Sequence, residues 1–552
     1  MNIHRITGWL ALLAAAVLAL PAWALTVEEL QAKLDARFKG DRNGACVVAA
    51  LIDKGQVLRA KTCAQPRGDA EPGYDSTFEI GSVTKTMTAF LVADLIHQGK
   101  WTLDDPIAKH LPPGTALARQ GERQILVRDV LTHTSGLPGL PPGFNPKNRS
   151  DPYADLSESA LLAALGKVEL SRPIGSQFEY SNFAMMVMSS AVAHSYGSDY
   201  ESALASRLFV PLKMDGAYVE RPRSKRPLAI GHLPSGHPTS DWHIANNLAG
   251  VGMVRATLED MVLYAQAHLG RADAALLANL ELTQQPLREH AGMNWMLFNF
   301  KGHDLVAHEG GTGGFSSLVA LEPRAQRAVV ILADASLADL GGLGRLGNAL
   351  LGIDESPLRP RLAATPNDAL LAAMPGDYEL GPMSARVWLD GKRLMAQAEG
   401  QATFELKYDS LGDFYPESFG ALLTPQFVDG KVDRAVWRQG GGMMEVTRKG
   451  TRTAATATNP RWKDFAGEYA LLPQFSLRVF EEGGVLKVQG SGQPAIAAEM
   501  IGTDTIEIKA VGAVVEFKRD AAGQVSSAVL RQGGQVLEGK RTARPDSPEG
   551  PR

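Results

Sequence analysis

Apolar and polar positions alternate differently in successive parts of the chain. Met1–Gly8 carries His4 and Arg5, and Trp9–Leu20 follows as an unbroken apolar run. That run is too short to cross a bilayer, which takes about 20 residues. Pro21 and then Ala22-Trp23-Ala24, a small-x-small pattern, complete a signal peptide over residues 1–24 that is expected to be cut after Ala24. Residues 25–353 mix amphipathic helical periods with short strand-like runs. Glu355-Ser356-Pro357-Leu358-Arg359-Pro360 marks a linker, placed at 354–372. Beyond it the pattern changes to short alternating runs broken by glycine, as antiparallel β structure requires.

Two local patterns are sharp enough to place elements. Val47–Thr62 reads as a hairpin turning at Lys54-Gly55, with Asp53 opposite Gln56. The same register sets Cys46 opposite Cys63, seven steps from the turn, in a non-hydrogen-bonded pair close enough for a disulfide. Over Thr86–Lys100, Met87, Phe90, Leu91, Asp94 and Leu95 recur at steps of three and four, which predicts a helix with one mostly apolar face turned to a core.

The β-rich part repeats itself. Gly376-Asp377-Tyr378-Glu379-Leu380 matches Gly467-Glu468-Tyr469-Ala470-Leu471 at an offset of 91. Leu394 and Gln397 match Leu486 and Gln489 at 92, and Arg438-Gln439-Gly440-Gly441 matches Arg531-Gln532-Gly533-Gly534 at 93. So small a drift argues for one unit used twice, at 373–451 and 460–542, each with enough strands to close a small barrel or sandwich. Residues 543–552, with Pro545, Pro548 and Pro551, are expected to be a disordered tail.

Composition narrows the function classes. The chain has 552 residues and 45% hydrophobic content, ample for several cores. Its 56 Lys and Arg nearly balance 60 Asp and Glu, and no basic tract stands out, which leaves nucleic-acid binding without an electrostatic footprint. A cleaved signal with Leu25, not Cys, at the new N-terminus implies a periplasmic or secreted protein with no stable membrane anchor. An oxidising compartment suits the Cys46–Cys63 bridge. His232, His237 and His243 sit in a Pro/Gly/Ser-rich loop without ordered ligand spacing, so neither a metal nor another cofactor is expected.

Candidate chemistry centres on Ser82. It opens the helix-like segment, and Lys85 lies three residues on, along the same face. A serine hydroxyl needs a base, and a lysine whose pKa is lowered by burial can serve. The helix start also favours negative charge developing beside Ser82.

Phe78-Glu79-Ile80-Gly81-Ser82-Val83-Thr84-Lys85, followed by Trp101-Thr102-Leu103-Asp104-Asp105-Pro106, resembles the nucleophile region of penicillin-recognising serine hydrolases related to class C β-lactamases. Leu131-Thr132-His133-Thr134-Ser135-Gly136-Leu137-Pro138, with His133 read as structural, and Tyr180-Ser181-Asn182 are further matches in the family's order. The resemblance spans about residues 25–350. It implies an α/β (α+β) β-lactamase/transpeptidase-like fold, an antiparallel sheet flanked by helices, with the two all-β barrel-like units after it.

By the same resemblance, Tyr180 shares a proton with Lys85, while Asn182 donates to the substrate and orients the lysine. Val306-Ala307-His308-Glu309-Gly310-Gly311 falls where class C enzymes carry Lys-Thr-Gly and fits the family's H-x-G variant. His308 then occupies the lysine position, followed by Gly310, and the amides of Ser82 and Gly311 form an oxyanion hole. A histidine is mostly neutral at pH 7, which disfavours a substrate carboxylate. Glu309 reads either as a solvated or paired acid or as a partner for a substrate ammonium.

An H-x-G catalytic domain followed by two β units resembles bacterial D-aminopeptidases. That implies an acyl-enzyme hydrolase acting on a peptide or other small-molecule amide. A carboxylesterase of the same fold, a β-lactamase or D-Ala carboxypeptidase, and a non-turnover protein with cell-wall contacts are the other readings.

Overall fold

The computed structural model describes residues 25–543 except Ser171 and the short stretches 381–382, 429–430, 440–441, 450–459, 473–474, 483–484, 491–494, 503, 509–512, 521–522 and 533–534. The expected signal peptide, and the expected tail beyond Ala543, lie outside the described residues. One compact unit runs to Arg361, and a second takes up the chain from Leu362.

The first unit is built on a six-stranded antiparallel sheet. Its elements that matter here are α1 (Val27–Phe38), β1 (Cys46–Asp53), β2 (Gln56–Cys63), α2 (Thr84–His97), α3 (Asn182–Tyr196), α4 (Leu258–His268), α5 (Ala274–Gln284), β3 (Met296–Phe300), β4 (His303–Gly311), β5 (Ser316–Glu322), β6 (Arg327–Ala333) and α6 (Gly344–Leu350). Strand order is β2-β1-β6-β5-β4-β3. The three middle strands are buried along nearly their whole length, so they read as unbroken apolar runs. Strand alternation explains it. Val48, Ala50, Ile52, Val330 and Leu332 join the helical core that holds α2, α3 and α4, while Leu318 and Val329 meet α6 at Gly347.

β1 and β2 pair in the expected register, Asp53 with Gln56 and Cys46 with Cys63. The two cysteines are joined, their Cα atoms 4.0 Å apart.

The helix after Ser82 differs from its sequence expectation in position and exposure. It starts two residues earlier and ends three earlier, and every residue from Thr84 to Leu95 is buried. Over those residues it has no solvent face because α3, α5 and the turn Asn246–Val251 enclose it. Its polar members are therefore all bonded. Thr86 Oγ1 meets Tyr264 Oη at 2.9 Å, and Thr88 Oγ1 meets Tyr200 Oη at 2.8 Å. Asp94 takes Arg207 at 2.6 Å, Tyr196 at 2.6 Å and Asn279 at 3.1 Å.

The second unit holds two nine-stranded antiparallel sheets in which eight strands follow the same order; the ninth is Ala363–Ala364, beside Phe404–Asp409, in the first and Ile496–Ala497, beside Val485–Gly490, in the second. In the first, the strand Arg393–Ala398 also pairs Phe404–Asp409, closing the sheet on itself as a barrel. The repeat is visible in the fastenings. Tyr378 pairs Arg448 across strands and donates its hydroxyl to the Met374 carbonyl at 2.6 Å; Tyr469 pairs Arg541 and donates to Phe465 at 2.7 Å. In each case the arginine stands over the tyrosine ring, 6.0 and 5.9 Å from its centre. Each sheet wraps its own apolar cluster.

The disulfide spans a 17-residue separation. Replacing Cys46 and Cys63 together by serine is expected to lower stability by up to about 3 kcal/mol, read by urea unfolding of both forms under non-reducing conditions.

Candidate active site

Ser82 sits where the chain turns sharply from a short strand into α2. Phe78–Glu79 pairs Arg255–Ala256, and Gly81, with φ +50°, leads into a single 3-10 turn, Gly81–Val83, before Thr84 opens the helix. The residue is partly exposed while Lys85, one turn on, is completely buried. Lys85 Nζ lies 2.9 Å from Ser82 Oγ and donates to the Val251 carbonyl at 2.6 Å. Burial holds its ammonium well below the ordinary lysine range.

Tyr180 closes the group from a distant loop. Its hydroxyl is near enough to Ser82 to act on it, and Lys85 Nζ lies 4.9 Å from its ring centre. The residue as a whole is 38% exposed. Burial of the hydroxyl raises the phenol above its usual value, and the Ser82 hydrogen bond works against that rise.

The loop is fixed by His133, which has a left-handed φ of +54°. Its carbonyl accepts from Glu179 N at 2.7 Å, its Nδ1 accepts from Ser181 N at 3.1 Å, and its ring lies against Tyr180 with centres 4.4 Å apart. Ser181 caps α3 by accepting from Ala184 N at 2.9 Å and donates to the Pro138 carbonyl at 2.6 Å. Burial, then the nearby Lys85 and His308, push His133 down to about 3.

Asn182, the first residue of α3, stands beside Tyr153. Its Oδ1 is buried without a protein partner. The hydrogen bonds of Lys85 run to Ser82 and the Val251 carbonyl, with none to Asn182 among the described residues.

The last turn of β4 supplies the opposite wall. His308 is buried, its ring centre 6.5 Å from that of Tyr180, and its Nδ1 lies 2.6 Å from the Glu309 carbonyl. Burial and the proximity of Lys85 hold it at about 4. Glu309, on the other face of the strand, is engaged by the amides of Leu343 and Gly344, so it is committed away from His308.

Gly310 and Gly311 pass directly over Ile80-Gly81. A Cβ on Gly81 would stand 2.5 Å from Gly311 N, and one on Gly310 would strike the Ile80 carbonyl. Ser317 Oγ ties down that carbonyl at 2.7 Å. Because Thr312 N donates to Phe315 O, antiparallel alternation turns the Gly311 amide away from β5 and towards Ser82's turn.

Residues 26–341 match the beta-lactamase family model. The chain belongs to the beta-lactamase family. It is a serine hydrolase by that membership. Among curated relatives of this beta-lactamase family member, the D-alanyl-D-alanine-carboxypeptidase/endopeptidase AmpH of Escherichia coli (strain K12) is 28% identical over 313 residues, 51% of this chain and 77% of its own. Esterase EstB of Burkholderia gladioli is 31% identical over 215 residues, 36% of this chain and 54% of its own. The octameric penicillin-binding protein homologue from Pyrococcus abyssi is similar in fold, with a TM-score of 0.50 at 19% identity, covering 84% of this chain and 98% of that one.

Ser82, Lys85, Tyr180, His308, Gly310 and Gly311 therefore come together, while Asn182 stands beside Tyr153. Sequence reasoning missed the Val251 carbonyl and Tyr153. The first is a backbone group that leaves no side-chain signature. Tyr153 lies in a loop and is placed by packing against Phe144 and Trp242, with ring centres 5.4 Å away in both cases.

Gly81→Ala is expected to push β4 off Ser82's turn and slow Ser82 labelling by a fluorophosphonate by about 10²-fold or more, with the circular dichroism spectrum retained. An unchanged labelling rate would show that the close approach is dispensable.

Proposed function

We propose that this serine hydrolase is an exported peptidase or amidase of D-aminopeptidase type, working through an acyl-enzyme on Ser82. The observation that carries the reading is the pairing of Ser82 with a fully buried Lys85 that has no acidic partner on its amine among the described residues.

The resting site would hold a neutral amine and a neutral phenol, because burial lowers Lys85 and raises Tyr180. One N–H of Lys85 goes to Val251, which leaves the lone pair to receive the Ser82 proton as the hydroxyl attacks a carbonyl carbon. Charge developing on the carbonyl oxygen would be met by the amides of Ser82 and Gly311. Tyr180 would then pass its proton to the departing nitrogen or oxygen and be refilled from Lys85; water repeats the sequence to release the acyl group. Asn182 Oδ1, unspent in the protein, would accept from the substrate.

The amide reading rests on His308 standing in the lysine position and on the two β units that follow. The similarity to an esterase supports carboxylester hydrolysis as the second reading. The carboxypeptidase among the relatives keeps terminal D-Ala release in view, with the neutral His308 against it. Export rests on residues 1–24 and the paired cysteines; the β units are candidates for cell-wall contact.

A panel of D- and L-aminoacyl p-nitroanilides, p-nitrophenyl esters and nitrocefin tests this, with Ser82→Ala as control. D-anilide turnover, abolished in the control, is the expected result. Turnover of esters alone would establish the esterase.

The pH profile follows from the same groups. Lys85 accepts a proton only as the free amine, so kcat/KM should rise with pH and level off well below the ordinary lysine value of 10.5. His308 at about 4 and His133 at about 3 should add no step between about pH 5 and 9. A rise that continues to the ordinary lysine range would remove Lys85 as the base.

A further inference from the structure

The geometry points to a hydrogen-bond acceptor on His308, and we infer that this site selects a substrate bearing an N–H donor there, such as a carboxamide, over one bearing a free carboxylate. The inference rests on the acyl-enzyme reading above and extends it to the group the substrate must present. Nδ1 lies 2.6 Å from the Glu309 carbonyl, which can only accept, so Nδ1 carries the ring proton. A neutral imidazole has one such proton, which leaves Nε2 bare.

Among the described residues, nothing around the ring supports a second proton. The groups facing it are Lys85, Tyr180 and His133, and the adjacent Glu309 carboxylate is taken up by the Leu343 and Gly344 amides. The downward shift of His308 to about 4 agrees with that surrounding.

Nε2 has no hydrogen-bond partner among the described residues. Unlike Nε2 of His133, which is sealed and unpaired, it retains solvent access although the residue is only 7% exposed. A bare, accessible nitrogen beside Tyr180 is an unspent acceptor. A carboxylate brought there would meet a lone pair, whereas an amide N–H would complete the bond.

Three substrates that differ only at that end test it: D-alanyl-glycinamide, D-alanyl-glycine methyl ester and D-alanyl-glycine. The amide is expected to exceed the methyl ester about tenfold in kcat/KM, the worth of one hydrogen bond, and to exceed the carboxylate by more. In His308→Leu the amide-to-ester ratio should fall to about one, and in His308→Lys the carboxylate should become the preferred member. A carboxylate preference in the wild type, or an amide-to-ester ratio unchanged in His308→Leu, overturns the inference.

Long-range ¹H–¹⁵N correlation of the wild-type protein reads the ring directly. The expected spectrum has a protonated Nδ1 and an unprotonated Nε2 at neutral pH. The opposite tautomer or an imidazolium overturns the inference whatever the variants do. Fluorophosphonate labelling of Ser82 separates the two failures: no labelling defeats the acyl-enzyme reading, whereas normal labelling with a contrary spectrum or ratio defeats only the role of His308.

Discussion

A primary amine confined without a counter-charge governs this site. Lys85 is enclosed on a helix buried from Thr84 to Leu95, and its hydrogen bonds run to a hydroxyl and a backbone carbonyl. An ammonium there would lose its hydration and gain no carboxylate, so the neutral form is favoured. The other features near Ser82 are compatible with that choice. The histidines on either side of Tyr180 are held neutral by the same enclosure, and Glu309, the nearest acid on β4, is turned to the far face of the sheet.

The second constraint is backbone proximity. Ile80-Gly81 and Gly310-Gly311 come closer than any side chain would permit, and Ser317 clamps the contact. Two glycines therefore do for geometry what Lys85 does for electrostatics. They let a strand amide stand beside the nucleophile while α2 stays anchored in the core.

Much of this was legible in the chain because it depends on local spacing. The Cys46–Cys63 register follows from a two-residue turn, and one helical turn sets Lys85 beside Ser82. The near-constant offset of the β repeats reappears as Tyr378 and Tyr469 with their arginines. What escaped depends on distant segments meeting. The α2 period suggested one buried face, but three neighbours cover the remainder. Asn182 was expected to orient Lys85, yet the Val251 carbonyl, a backbone group from a distant turn, takes the amine. His133 could be read as structural, but its contact with Tyr180 requires a left-handed residue that sequence spacing does not disclose.

The paired tyrosine–arginine fastenings of the β units carry a kinetic consequence. Two modules with eight strands in the same order and the same internal clasp offer each other wrong partners, since a strand of one could dock in its counterpart's place. Synthesis from the N-terminus separates them in time, because the first barrel can close before the last strands of the second have left the ribosome. Refolding of the whole chain from denaturant removes that head start, so exchange of strands between the copies becomes the trap that vectorial synthesis avoids.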